Sequence, residues 1–221
     1  MIGGGSALDL SLYLVLDPER CGSPAQMVET ARLAAQNGAS VVQLRAPGWK
    51  KRQWLETAIE LKEVLAPLGV PLIINDQVDI ALAVDAEGVH VGQDDLPPAV
   101  VRRLIGPQKW LGLSVSNADQ LAAVPPGLVD YLGVGPLYPT ATKPDDAPAT
   151  GLSAFAELVA AARLPVVVIG GIQLENCLLP LQAGAQGVAV VSAICGQDDP
   201  AQCTRDLRDK IRTSLSIGAG A

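Results

Sequence analysis

This sequence is poor in the residues that most often carry chemistry or staple a fold. Of 221 residues one is histidine (His90), four are cysteine and only 3% are aromatic. Cys21, Cys177, Cys195 and Cys203 show no C-x-x-C spacing and no histidine-rich neighbourhood, so neither a disulfide framework nor a zinc site is expected, and the thiols read as reduced residues of a cytoplasmic chain. No apolar run reaches the ~18 residues of a membrane span. Met1 to Asp9 also lacks the basic-then-apolar order of a secretion signal. Nor is there a broad basic surface: the net charge is −7, and the longest basic run, Lys50-Lys51-Arg52, simply opens a helical pattern. Binding to nucleic acid or to an anionic membrane is therefore not expected. A small anionic ligand needs only a few donors and stays open, as does assembly into a homo-oligomer.

What is abundant is aliphatic. The chain is 49% apolar, so its core must be built from Val, Leu, Ile and Ala. Short apolar runs alternate with stretches of helical spacing. Strands are expected at Leu12–Leu16, Val41–Leu44, Leu72–Ile74, Val89–Val91, Trp110–Leu113, Tyr131–Val134, Val166–Ile169 and Gly187–Val191. Helices are expected near Pro24–Asn37, Gln53–Leu65, Val78–Val84, Pro98–Ile105, Ala118–Val124, Ser153–Ala162, Leu174–Leu181 and Ala201–Leu215. Strands this apolar are buried on both faces, which calls for a parallel sheet covered by helices. Eight strand-then-helix units fit a closed α/β barrel, a single-domain (β/α)8 TIM barrel, over about residues 11–215, with flexible ends at 1–10 and 216–221. Such barrels place their chemistry at the carboxyl ends of the strands.

The residues closing the strands are polar: Asp17; Gln43 and Arg45; Asn75 and Asp76; Gln93, Asp94 and Asp95; Ser114 and Ser116; Gly170-Gly171; and Val191-Ser192. No histidine, cysteine or glutamate ends a strand, so there is no obvious strong base. Asp76 and Asp95 close neighbouring strands. Each reads equally as a helix N-cap or as a ligand to a Mg2+ that substrate phosphates complete. Arg45 beside them suits a second anionic group. Gly170-Gly171 and Val191-Ser192 end strands seven and eight, where barrels bind phosphate through backbone N–H groups; a tight turn is the alternative for the glycine pair. After strand six a long connection begins Gly135-Pro136-Leu137-Tyr138-Pro139-Thr140-Ala141-Thr142-Lys143, too long for a simple connector and read as a lid or binding loop. His90, inside strand four, reads as a packed, hydrogen-bonded residue, and Trp49, Trp54 and Trp110 read as packing residues.

These segments, with Gln43-Leu44-Arg45, Ile74-Asn75-Asp76, His90 to Asp95, Gly112-Leu113-Ser114, Ile169 to Ile172 and Val191 to Ile194, resemble thiamine phosphate synthases, in family order over about residues 12–212. The resemblance implies a transferase that joins hydroxymethylpyrimidine diphosphate to hydroxyethylthiazole phosphate, through a pyrimidine carbocation captured by the thiazole nitrogen, with release of pyrophosphate. By that analogy Gln43, Arg45, Asn75, Ser114 and Lys143 hold the pyrimidine diphosphate, with Arg45, Ser114 and Lys143 catalytic. Asp76 and Asp95 bind Mg2+, and Thr140, Thr142, Gly170, Gly171, Val191 and Ser192 hold the thiazole phosphate. One departure stands out: the family reads Gln-Leu-Arg-x-Lys, and here Pro47 replaces the lysine. Lys50 or Lys51 would have to supply that contact. Two alternatives remain, a thiazole tautomerase-like isomerase and a non-catalytic binder of thiazole or thiamine phosphate.

Overall fold

In the computed structural model, which describes residues 8–140 and 149–218, eight parallel strands close into a barrel in chain order. They are β1 (Leu12–Leu16), β2 (Val41–Leu44), β3 (Leu72–Asn75), β4 (Gly88–Val91), β5 (Trp110–Val115), β6 (Tyr131–Val134), β7 (Val166–Val168) and β8 (Gly187–Val190). The ring shuts where Tyr13 of β1 pairs with Ala189 of β8. The helices around it are α1 (Pro18–Cys21), α2 (Pro24–Asn37), α3 (Lys51–Leu65), α4 (Val78–Ala83), α5 (Pro98–Ile105), α6 (Ala118–Ala122), α7 (Gly151–Ala161), α8 (Leu178–Gln182) and α9 (Pro200–Gly218).

The period of two along each strand divides the core into two shells. Leu12, Leu14, Leu16, Val42 and Leu44 face outward and pack on Met27, Ala31, Ala58 and Leu61 of the helices. Tyr13, Val15, Val41, Ile73, Tyr131, Val167 and Ala189 face inward and fill the barrel, with Leu10 at its lower end. Each fully buried Leu, Ile or Val stabilises by about 1.5–3 kcal/mol, so strands apolar on both faces stay where helices cover them. Local signals fix the helix ends. α2 begins with a capping box, Ser23 Oγ accepting from Gln26 N–H and Gln26 Oε1 from Ser23 N–H, and ends at left-handed Gly38.

Several elements differ from the pattern in the sequence. The four-residue helix α1 was not expected, because one turn is too short to show periodicity; Asp17 as N-cap and Pro18 at the first position form it. α8 starts at Leu178 rather than near Leu174, since Gln173 to Cys177 form turns held by Asn176 Oδ1, which accepts from Gln173 N–H. α7 starts at Gly151, two residues early. The expectations for residues 1–7 and 219–221 fall outside the described residues.

Candidate active site

Where the strands end, a cavity of about 310 Å3 opens, a volume suited to a small molecule. The polar strand ends converge on it. Gln43 and Arg45 enter from β2, Asn75 and Asp76 from β3, Asp95 from beyond β4, and Ser114 from β5. Gly170 and Gly171 follow β7, Val191 and Ser192 follow β8, and Thr140 reaches it from the connection after β6. Thr142 and Lys143 lie outside the described residues.

The two aspartates follow adjacent strands, as β3 pairs with β4 through Asn75 and His90. Asp76 sits at φ 60, a left-handed conformation that costs an L residue on the order of 1 kcal/mol or more. Its N–H is tied to the His90 carbonyl at 2.9 Å, and its carboxylate accepts from the Asn75 amide at 2.6 Å. Asp95 accepts from Gly92 N–H at 2.7 Å. Neither aspartate is a helix N-cap, which Gln77 and Pro97 supply for α4 and α5. This removes the capping explanation for both.

Arg45 is not an unbraced fork. Its Nη1 donates to Asp17 Oδ2 at 2.9 Å, while Asp17 Oδ1 accepts from Glu19 N–H and caps α1. Asp17 therefore turns toward Arg45 and α1 rather than lining the cavity, and it is only 3% exposed. Pro47 lines the rim, and Lys51 does not take the place of a lysine there. Its ammonium group donates to Gln77 Oε1 and, at 2.7 Å, to Asp79 Oδ1, and its side chain is 58% exposed. Lys51 holds the Asp79 carboxyl below the usual carboxylate range.

On the opposite side the glycine pair makes a close approach possible. Gly170 (φ 100) lies under Pro136, where a Cβ would come within 2.6 Å of Pro136 Cα, and Gly171 (φ 66) lies under Tyr138. Leu137 and Tyr138 donate their N–H groups to the carbonyls of Ile169 and Gly170, tying the near end of the connection to β7. Ser192 accepts at Oγ from Gln173 Nε2 at 2.9 Å, and Gln197 Nε2 donates to its carbonyl.

The deeper lining escaped a reading that looked only at strand ends. Tyr13, His90 and Tyr131 line the cavity from inside the barrel. Parity would have found them: Tyr13 lies four residues before Asp17, His90 two before Gly92, and Tyr131 four before Gly135, all on inward positions. Gly112 and Gly133 provide the room, since a Cβ at Gly112 would lie 2.3 Å from His90 Nδ1 and one at Gly133 would lie 2.9 Å from His90 Cε1. His90 is indeed hydrogen-bonded, to Tyr131 and Ser114, but it is also part of the wall. Trp54 packs edge-on to Trp49 and lines the rim as well.

Residues 12–194 match the family model for thiamine monophosphate synthase. The chain is 56% identical over 200 residues to a thiamine-phosphate synthase of Laribacter hongkongensis, covering 90% of this chain and 94% of that one. It is 48% identical over 206 residues to one of Azorhizobium caulinodans, covering 93% and 97%. Among solved structures, a thiamine phosphate pyrophosphorylase from Pyrococcus furiosus superposes with a TM-score of 0.85 at 33% identity, covering 94% of this chain and 98% of that chain.

Proposed function

Because this chain belongs to the thiamine monophosphate synthase family, we propose that the cavity at the strand ends is divided between two phosphorylated substrates. The enzyme is an alkyl transferase that joins a pyrimidine and a thiazole moiety into thiamine phosphate. In this reading the pyrimidine diphosphate lies against Gln43, Arg45, Asn75 and Ser114, and the thiazole phosphate against Gly170, Gly171, Val191, Ser192 and Thr140. Thr142 and Lys143 belong to the same reading as further donors. The observation that carries it is the convergence of the β2–β5 donors and the β7–β8 loops on one cavity.

The hard-oxygen pair Asp76 and Asp95 suits Mg2+, which binds through one or two carboxylates plus waters and phosphate oxygens. Among the described residues no group of three or more His, Cys, Asp or Glu gathers into an all-protein cage, and Mg2+ of this kind needs none. When bound, the ion would neutralise charge on the leaving diphosphate. The side chains do the rest. Arg45 and Ser114 donate to diphosphate oxygens, the β7 and β8 loops hold the thiazole phosphate, and the barrel wall keeps water from the reacting carbon. Holding the thiazole nitrogen against the pyrimidine methylene converts a bimolecular encounter into a positioned one. No strong base is required, because the bond to the diphosphate breaks first, its electron pair leaving on the diphosphate, and the pyrimidine carbocation so formed is captured by the lone pair of the thiazole nitrogen.

Among the described residues no helix is long and apolar enough to cross a membrane. We place the activity in the cytoplasm, where both small substrates are soluble. The test is direct: purified protein with hydroxymethylpyrimidine diphosphate, hydroxyethylthiazole phosphate and Mg2+ yields thiamine phosphate and pyrophosphate in equal amounts, and excess chelator stops it. No product from folded protein at any Mg2+ concentration would overturn this reading, and an undiminished rate in chelator would overturn its metal site.

A further inference from the structure

Five polar side chains run in one hydrogen-bonded row across the barrel interior into the cavity. Gln43 Nε2 is 2.8 Å from Tyr13 Oη, and Tyr13 Oη is 2.9 Å from Tyr131 Oη. Tyr131 Oη is 3.2 Å from His90 Nδ1, and His90 Nε2 is 2.9 Å from Ser114 Oγ. The first four are buried. They come from β2, β1, β6 and β4, and Ser114 comes from β5.

The chemistry of the first member orders all the others. An amide nitrogen can only donate, so Gln43 gives a proton to Tyr13 oxygen. Tyr13 and Tyr131 are phenols whose burial raises their pKa, so each keeps the single proton it can give. If Tyr131 donated to Tyr13, the Tyr13 proton would face its own donor, Gln43, and would lie buried without an acceptor, at a cost that native interiors avoid. Tyr13 therefore donates to Tyr131, and Tyr131 to His90 Nδ1. With Nδ1 accepting, the proton of a neutral imidazole sits on Nε2 and goes to Ser114 Oγ. The Ser114 hydroxyl is left to point its own proton into the cavity.

We infer that Gln43, Tyr13, Tyr131 and His90 form a one-way hydrogen-bond chain that fixes His90 as its neutral Nε2–H tautomer and turns Ser114 into a donor toward the cavity. Tyr13, Tyr131 and His90 act here as positioning residues: they hold the direction of one hydroxyl. A donor there complements a diphosphate oxygen, which can only accept. That functional consequence rests on the proposed diphosphate site, whereas the tautomer itself does not.

Because His90 is the only histidine, protein made with 15N-labelled histidine reports this one ring without assignment. At neutral pH the nitrogen spectrum is expected to show a pyrrole-type Nε2 and a pyridine-type Nδ1. An Nδ1–H form, an exchanging mixture or an imidazolium overturns the chain. Gln43→Glu tests control at a distance, since the row joins residue 43 to His90 through two phenols. Infrared spectra of that variant report whether the introduced carboxyl is ionised. A carboxylate can only accept, so every bond in the row reverses and the tautomer is expected to move to Nδ1–H as ionisation occurs. A tautomer indifferent to ionisation refutes the coupling; if the variant does not fold, the unmodified protein's spectrum still decides. Separately, Ser114→Ala is expected to weaken binding of pyrophosphate with Mg2+ by at least about tenfold. Unchanged binding there would refute the diphosphate assignment and leave the tautomer result standing.

Discussion

Replacing Asp17 should separate its two jobs. Oδ1 caps α1 through Glu19 N–H, and Oδ2 faces Arg45 Nη1 at 2.9 Å. Asp17→Asn keeps an oxygen for the cap but sets an amide N–H2 or an uncharged oxygen against a guanidinium. Removing one partner of a fully buried ion pair costs about 3–5 kcal/mol. The Arg45 side chain is 18% exposed and the Asp17 side chain 4%, so water recovers part of this and about 2–3 kcal/mol remains. Asp17→Ala adds the lost cap, about 1 kcal/mol more. For a chain of this length each kcal/mol lowers Tm by about 2–4 °C, so Asp17→Asn should fall by roughly 4–12 °C and Asp17→Ala by about 2–4 °C further. Thermal unfolding followed by circular dichroism measures both. The same variants carry a kinetic signature: an Arg45 without its brace raises KM for the pyrimidine diphosphate about tenfold and leaves KM for the thiazole phosphate unchanged. An Asp17→Asn protein with unaltered Tm, or one whose two KM values rise together, would refute the division of labour.

Gly170→Ala forces a Cβ to within 2.6 Å of Pro136 at φ 100; it should weaken thiazole phosphate binding by an order of magnitude or more through displacement of the connection after β6, as calorimetry would show. Gly112→Ala places a Cβ 2.3 Å from both His90 Nδ1 and Tyr131 Cζ, and should abolish turnover while lowering Tm by several degrees, as overpacking does. Burial raises the phenols of Tyr13 and Tyr131 above the ordinary 10.0, so at alkaline pH the unfolded chain loses these protons first. Stability is then level below about pH 10 and falls as the pH climbs toward the folded-state values. Ultraviolet titration should show Tyr13 and Tyr131 ionising only as the chain unfolds.

The barrel was legible because its strands are apolar on both faces, and a run such as Val41 to Leu44 has no other stable use among alternating helices. The mouth was legible because a polar residue directly after such a run, Asn75 or Ser114, has nowhere to go but the rim. The inner wall was not, since Tyr13 and Tyr131 look like core when hydrophobicity alone is weighed and their partners come from strands up to 118 residues away. The Asp17–Arg45 pair was hidden for a related reason. Only the register of β1 with β2, which sets Leu16 beside Leu44, brings those two neighbours together. Lys51 shows the converse: charge type and nearness in sequence to Pro47 suggested a stand-in, and the geometry gives it instead to Gln77 and Asp79.

The division of one cavity into two phosphate sites is tested most directly by reciprocal calorimetry on Asp76→Ala and Ser192→Ala. The account predicts that Asp76→Ala loses binding of pyrophosphate with Mg2+ and keeps hydroxyethylthiazole phosphate, and that Ser192→Ala does the reverse. Equal loss of both ligands in either folded variant would contradict it.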